Sequence, residues 1–315
     1  MGDASDGSAD DGLAEADDYA EALHAAPINA TVSVAAAYDG PVSNNFVLNT
    51  ATGVQGLQAT AAPPHTVRFE QLRGFKGCCG CIDGSFVKIR APHLAATHSA
   101  DYNTYKKFYA IQILAVCTAN FMFTFVFTGA PGSRSDSWLL RRTSLWNYWN
   151  QYFPAATPDV PYFYLLGDGG FKLREWLVVP FTKKQLFNTA DPELLRRRKA
   201  FTRDQTSTRV CIEIAFGILK ARWLCLRHGL QCTLGHASLT LDACVVLHNV
   251  CIARNDIWAY NHVDDRDVDI GFNDPTWLQV DSHAPMAAPP PESGDDRRAK
   301  RTRDYLVDTP RANRR

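Results

Sequence analysis

The sequence predicts an α/β domain in which helices flank a mixed five-stranded sheet. Three consecutive segments rich in β-branched and aromatic residues indicate strands, and a short apolar strand ends abruptly at Gly167-Asp168-Gly169-Gly170. A long stretch of helical periodicity follows this strand. Strands and helices that follow one another in this way along one chain are typical of a sheet covered by helices.

The first three predicted strands occupy residues 81–90, 108–118 and 121–129. The first strand alternates apolar and polar positions around Ile82, Val87 and Ile89. The second and third strands are separated only by Ala119-Asn120, which predicts a hairpin. We therefore expect three consecutive antiparallel strands.

The later elements are a helix at 135–149, short strands at 162–166 and 177–181, and a helical region at 192–254. Ser135 and Asp136 are both suitable N-caps for the first helix. The best-defined part of the helical region, residues 206–226, carries an apolar stripe made of Val210, Ile214, Gly217, Ile218, Ala221 and Leu224. Three antiparallel strands, a helix, a parallel strand and then helices is the chain order of the ribonuclease H-like fold.

Composition divides the 315 residues into three parts. We expect an acidic, mostly disordered leader at 1–67, a folded domain at 68–258, and a Pro-rich acidic linker with a basic tail at 259–315. The leader holds nine acidic residues and no Lys or Arg, which leaves 33 basic and 24 acidic residues for the rest. A basic body predicts a polyanionic partner, with the leader as a detachable competitor; an ordinary solvated surface is the alternative.

The sequence also bears on the compartment in which the protein works. No apolar run approaches the roughly 20 residues that span a bilayer, and no basic segment precedes an apolar stretch at the N-terminus, so we expect neither membrane insertion nor secretion. The odd count of nine cysteines favours free thiols in a reducing compartment.

Three acids are candidates for chemistry because of their positions. Asp83 lies within the first strand, Asp168 closes an apolar strand ahead of two glycines, and Glu213 lies beside the apolar stripe of the long helix. The structural alternatives are a turn or cap residue for Asp168, an ion pair with a nearby Lys or Arg for Asp83, and a helix-face ion pair for Glu213. Carboxylates that converge from strand ends and a helix are the ligands that Mg²⁺ or Mn²⁺ prefers. Two such ions can promote phosphodiester cleavage.

Taken together, several short stretches resemble the DDE endonuclease domain of PIF/Harbinger transposases and of the nuclease derived from them. The resemblance covers residues 77–255, a little over half the chain. The matching stretches are residues 80–85, 129–137, 165–171, 180–181, 187–188, 209–220 and 247–249.

The resemblance implies a role for particular residues. Asp83, Asp168 and Glu213 correspond to the catalytic acids, and Asp136 becomes a fourth candidate metal ligand, although a helix N-cap is the alternative for it. Arg209 and Lys220 match basic positions that are expected to hold phosphate. The implied cofactor is Mg²⁺ or Mn²⁺. Family members usually carry a helical DNA-binding region upstream, but the leader has no basic residue with which to grip DNA. Either that region is lost, or the N-terminal sequence is truncated, or a partner supplies it; the resemblance implies that such a partner is a separate Myb-like DNA-binding protein.

The sequence departs from the family pattern at two positions. Cys117-Thr118 stands where many relatives carry an Asp, and Thr206 stands where related transposases place a Tyr. Neither departure affects the four acids.

Other signals concern DNA and the cysteines. The cluster Arg196-Arg197-Arg198-Lys199 lies between Asp168 and Glu213 in the chain, where substrate phosphates would pass. Residues 297–303 suggest a nuclear-localisation or DNA-contacting segment. Solvated surface charge is the alternative for both clusters. Cys78 and Cys81 form one C-x₂-C without a second pair, so we favour buried thiols over a zinc site. We interpret His248 as a hydrogen-bonded core residue.

We therefore predict a metal-dependent DNA endonuclease, located in the nucleus with the cytoplasm as an alternative, and we leave a homo-oligomer open. The rival from another class is a domesticated, non-catalytic DNA-binding or scaffold protein. A phosphoesterase with a small substrate is a third reading, which the long basic stretch disfavours.

Overall fold

The computed structural model describes residues 69–71, 74–92, 96–153, 156–254, 256 and 294–309. The predicted leader at 1–67 lies outside these residues, as does most of the predicted linker. The described part contains a five-stranded sheet in the order β3-β2-β1-β4-β5. Its strands are β1 (Cys78–Lys88), β2 (Ala110–Cys117), β3 (Phe123–Pro131), β4 (Tyr164–Leu166) and β5 (Leu177–Val178).

The sheet is mixed, as the sequence predicts. β1, β2 and β3 pair antiparallel, whereas β4 pairs parallel to β1 and β5 pairs parallel to β4. The predicted hairpin connects β2 to β3, and Phe121 within it adopts a positive φ of 67°. This left-handed residue turns the chain, so β3 begins two residues later than predicted.

Helices flank the sheet. Those in the described residues are α1 (Ala96–Asp101), α2 (Asp136–Leu140), α3 (Ser144–Asn147), α4 (Trp149–Tyr152), α5 (Lys183–Phe187), α6 (Pro192–Arg222), α7 (Leu224–His228), α8 (Leu234–Ala253) and α9 (Gly294–Asp308).

The helix predicted at 135–149 is broken into three short helices. Thr143 has extended backbone angles, and its hydroxyl donates to the Leu140 carbonyl while it accepts from the Trp146 amide. The same residue therefore closes α2 and caps α3, because its side chain competes with the helical hydrogen bonds. Ser135 is the N-cap of α2, and its hydroxyl accepts from the Trp138 amide.

The long helix α6 buries part of the predicted stripe together with residues outside it. Gly217, Ile218 and Ala221 are buried as predicted, whereas Val210 and Ile214 are only half-buried and Leu224 is 50% exposed. Ile212, Phe216 and Leu219, which are not in the predicted stripe, are also buried. The helix packs on β1 and β2 and also against α8 and α9, so apolar burial is not confined to one stripe. Leu224 falls outside α6 because Trp223, with φ −106° and ψ 84°, ends the helix.

The alternation of β1 creates two cores, one on each face of the sheet. Cys81 and Val87 point into the core formed with α6 and α8, whereas Ile82 points into the core formed with α2 and α3. Because side chains alternate along a strand, Asp83 faces α6 and Gly84 faces α2. This register decides which helix can reach each of the two positions.

Helix α8 fixes the hairpin and covers the edge strand β3. The side-chain amide of Asn249 accepts from the Phe123 amide at 2.9 Å and donates to the Phe123 carbonyl at 2.7 Å. His248 Nε2 lies 2.8 Å from the Phe121 carbonyl, in agreement with its interpretation as a core residue. Among the described helices, α8 is long and apolar enough to cross a membrane by length and composition. In this fold it packs on β3 instead, where its buried Asp242 accepts from the Thr128 hydroxyl.

The basic segment 297–303 lies within α9, which packs against α6 and β5. Arg303 is buried and stacks over the Phe181 ring, with its guanidinium carbon 3.9 Å from the ring centroid. Arg197 of α6 pairs with Asp308 at the end of α9. Arg303 and Arg197 therefore help to hold α9 against the rest of the domain.

Candidate active site

The parallel pairing of β1 and β4 brings two of the predicted acids side by side. Cys81 of β1 is paired with Leu166 of β4. Asp83 and Asp168 each lie two residues beyond this pair. Asp168 follows the carboxyl end of β4, whereas Asp83 lies within β1, which continues to Lys88. The carboxyl ends of parallel strands are where α/β proteins commonly bind ligands.

Asp168 is held in a loop that is tied to two helices. Its Oδ1 accepts from the Gly170 amide at 3.0 Å. The Ser137 hydroxyl on α2 donates to the Gly170 carbonyl at 2.6 Å, and the Gln205 side chain on α6 donates to the Gly167 carbonyl at 2.6 Å. The loop is therefore anchored on both sides of Asp168. Neither Ser137 nor Gln205 could be singled out from the sequence, because serine and glutamine are not distinctive until the register of the helices is known.

Asp136 reaches the site across Gly84. A Cβ atom built on Gly84 would lie only 1.9 Å from Asp136 Oδ1, so the carboxylate occupies the space that any other side chain would fill. Since Ser135 makes the capping hydrogen bond of α2, the N-cap reading of Asp136 is wrong. Asp136 is the first residue of that helix, and its side chain lies against β1.

Helix α6 brings the fourth acid together with a cation. Glu213 is 6% exposed, and its Oε1 lies 2.6 Å from Arg209 Nη2. Arg209 Nη1 forms an ion pair with Asp83. Arg209 thus bridges a strand acid and a helix acid that are 130 positions apart in the chain. Lys220 lies two turns further along the helix and donates to the Ser85 hydroxyl at 2.8 Å.

The acids influence one another electrostatically. Burial raises the pKa of Asp83 to about 7; Arg209 opposes this shift, and Asp168 and Asp136 add to it. Burial and the nearby Asp168 raise the pKa of Asp136 to about 6. Partly buried carboxylates that disfavour each other's ionisation form a site that a further cation would stabilise.

The donor chemistry fits a hard divalent cation, since the converging ligands are carboxylate oxygens. Asp83, Asp136, Asp168 and Glu213 are the residues that would hold it. With the side chains in their present positions, no three Asp, Glu, His or Cys residues in the described ranges are close enough together to coordinate one metal ion. Arg209 takes the position between Asp83 and Glu213.

The predicted DNA-binding residues fall into two sets. Arg209 and Lys220 lie at or beside the acids. The cluster 196–199 lies near the start of α6, and the ten residues between Lys199 and Arg209 correspond to about 15 Å of helix. Arg196 pairs with Glu193, and Arg198 donates to the Thr189 hydroxyl, whereas Lys199 is exposed.

The cysteines of β1 lie beneath this site. Cys78 and Cys81 are buried in the sheet, and Cys117 Sγ lies 3.6 Å from Cys211 Sγ of α6. All nine cysteines are free thiols.

A family model described as DDE superfamily endonuclease matches residues 82–249, which is more than half of the chain. The chain is 29% identical over 195 residues to the protein named "Putative nuclease HARBI1" of Mus musculus, and 30% identical over 195 residues to that of Homo sapiens. Each match covers 61% of this chain and 51% of the relative. A protein named "Protein ALP1-like" of Arabidopsis thaliana is 25% identical over 198 residues, with 60% and 46% covered.

The chain thus spans about half the length of these curated relatives. No solved structure matches it.

Proposed function

Because the chain belongs to the DDE superfamily endonuclease family, with relatives named as nucleases, we propose that it is a divalent-metal-dependent DNA endonuclease. We further propose a ribonuclease H-like fold, for which the order β3-β2-β1-β4-β5 and the antiparallel and parallel pairings are the support.

The observation that carries this proposal is the convergence of four acids from four separate elements. Asp83 comes from β1, Asp136 from α2, Asp168 from the loop after β4, and Glu213 from α6. Partly buried carboxylates are costly to gather without compensating cations, and the charge of Arg209 compensates only part of theirs. A divalent cation supplies such a site with an activated nucleophile and with charge neutralisation at the leaving oxygen.

Each residue then has a proposed role. Asp83 of β1 and Asp168 after β4 would bind the cations, Glu213 would complete the second position, and Asp136 would assist. Arg209 and Lys220 would hold a phosphate of the scissile strand, since guanidinium and ammonium groups bind phosphate oxygens. The exposed Lys199 and its neighbours Arg196, Arg197 and Arg198 would contact the backbone further along the duplex.

DNA is the proposed substrate, and the nucleus is the proposed location. A separate Myb-like DNA-binding protein is the proposed partner, which would select the target sequence.

Cleavage of supercoiled plasmid in the presence of Mn²⁺ tests the proposal. The wild-type protein should nick the plasmid, Asp83→Asn should reduce the rate by at least about a hundredfold, and a chelator should abolish it. Asp159→Asn is the matched control, because Asp159 is exposed and lies in a loop outside the site. Equal nicking by Asp83→Asn and wild type would contradict the proposal.

The same samples address the rival reading. Salt-dependent binding of duplex DNA with neither nicking nor any effect of metal would favour a non-catalytic DNA-binding protein. Inhibition of nicking by unrelated duplex DNA would exclude a small-substrate phosphoesterase.

A further inference from the structure

Arg209 occupies the place at which a cation would be held between Asp83 and Glu213. Its two terminal nitrogens contact the two carboxylates separately, one on β1 and one on its own helix. The arginine side chain is only 14% exposed, and the side chains of Asp83 and Glu213 are 17% and 6% exposed. A guanidinium in such surroundings is a close substitute for a metal, because it offers positive charge to two carboxylates at once.

A divalent cation that bound Asp83 and Glu213 would compete with Arg209 for the charge of the same two carboxylates. The two positive charges would also repel each other at short range, which weakens the contacts of Arg209. Asp168 also interacts electrostatically with Arg209, so moving the arginine affects three of the four acids.

We propose that Arg209 is an internal counter-ion that competes with divalent metal for Asp83 and Glu213 and is released when metal and a DNA phosphate enter together. This inference rests on the proposed function and adds that metal binding and DNA binding are thermodynamically linked. Phosphate gives the displaced guanidinium a new partner, so DNA should tighten metal binding, and by reciprocity metal should tighten DNA binding. A site of this kind holds metal poorly until substrate is present.

Lys220 provides the matched control. It lies on the same helix, carries the same charge and also reaches β1, where its ammonium group donates to the Ser85 hydroxyl. Lys220→Gln and Arg209→Gln therefore remove one positive charge each, but only the second removes the bridge.

The test is a calorimetric titration of Mn²⁺ alone into wild type, Arg209→Gln and Lys220→Gln at one pH and ionic strength. Arg209→Gln should bind Mn²⁺ about tenfold more tightly than wild type, which is within the usual range for coupled sites. Lys220→Gln should change the affinity less than about threefold, since it alters only the surrounding potential. A short duplex without a cleavable site should tighten Mn²⁺ binding by wild type but have a smaller effect on Arg209→Gln.

Two outcomes would overturn the inference, and they differ in what else they affect. If Arg209→Gln binds Mn²⁺ no more tightly than wild type does, Arg209 does not compete with the metal, and the proposed metal site is unaffected. Absence of Mn²⁺ binding by both proteins removes the proposed metal site as well. If Arg209→Gln does not fold, Arg209→Lys takes its place, because a lysine ammonium keeps the charge but lacks the two-pronged contact. Arg209→Lys should bind Mn²⁺ more tightly than wild type, and equal or weaker binding contradicts the inference.

Discussion

Asp83 and Asp168 occupy equivalent positions on adjacent parallel strands, each two residues past the paired Cys81 and Leu166. The pairing of β1 with β4 therefore sets their spacing, and the helices α2 and α6 bring the other two acids to them from opposite faces of the sheet. The site is a product of strand register, so changes that disturb the register or the approach of α2 should impair it without unfolding the domain.

Gly84 tests the approach of Asp136. The Cβ of Gly84→Ala would lie 1.9 Å from Asp136 Oδ1, so the carboxylate must move away from β1. We expect Mn²⁺ affinity to fall about 10- to 100-fold, the range found when a residue that orients a metal ligand is changed. Calorimetric titration measures this, with Gly169→Ala as the control, because a Cβ there meets nothing within 4 Å. Equal losses of Mn²⁺ affinity in Gly84→Ala and Gly169→Ala would contradict a role for Asp136 in binding the metal.

Much of this arrangement could be predicted from the sequence. The strands can be predicted because apolar alternation and turn residues mark them locally. The acids can be predicted because Asp83 interrupts an apolar strand, Asp168 follows another and Glu213 lies beside an apolar stripe. The bridge from Arg209 to Asp83 could not be predicted, because it depends on how far α6 is rotated over the sheet. The predicted stripe places Val210 and Ile214 in the core, but both are only half-buried. Helix α6 is packed on more than one side, so its apolar residues do not indicate a single rotation.

The metal-free protein should become less stable as the pH rises toward neutrality. Burial, Asp168 and Asp136 raise the pKa of Asp83 from 3.8 to about 7 against the opposing effect of Arg209. Between these two values the folded protein keeps a proton that the unfolded chain has lost. The stabilisation is complete below the lower value and disappears as the pH rises through the higher one.

Urea unfolding in chelator from about pH 5.5 to about pH 8 measures this effect. The free energy of unfolding should decrease by no more than about 1.4 kcal/mol per pH unit for the one proton. Asp83→Asn should flatten the dependence. Asp136 and Asp242, whose pKa values are raised to about 6, titrate in the same direction and remain in the variant. A slope that is unchanged in Asp83→Asn would contradict the assignment.

Asn249 should contribute to stability rather than to chemistry. Its side chain makes two hydrogen bonds with the backbone of Phe123 at the start of the edge strand β3. Asn249→Ala leaves both backbone groups without this partner, which should lower the free energy of unfolding by about 1–3 kcal/mol. Leu247→Ala on the same helix is the control, because Leu247 is 46% exposed and should change stability by less than about 1 kcal/mol. Denaturant unfolding measures the stability of both variants. A loss of stability in Asn249→Ala no larger than that in Leu247→Ala would contradict a structural role for Asn249.

The proposed function requires that the four acids form a site for divalent metal. Titration of Mn²⁺ into wild type and Glu213→Gln tests this requirement most directly. Glu213→Gln removes one carboxylate charge while keeping an oxygen that can accept from Arg209. Wild type should bind Mn²⁺, and the variant should bind it at least about tenfold more weakly. Equal affinity in the two proteins, or no binding by wild type at millimolar Mn²⁺ with duplex DNA present, would contradict the account.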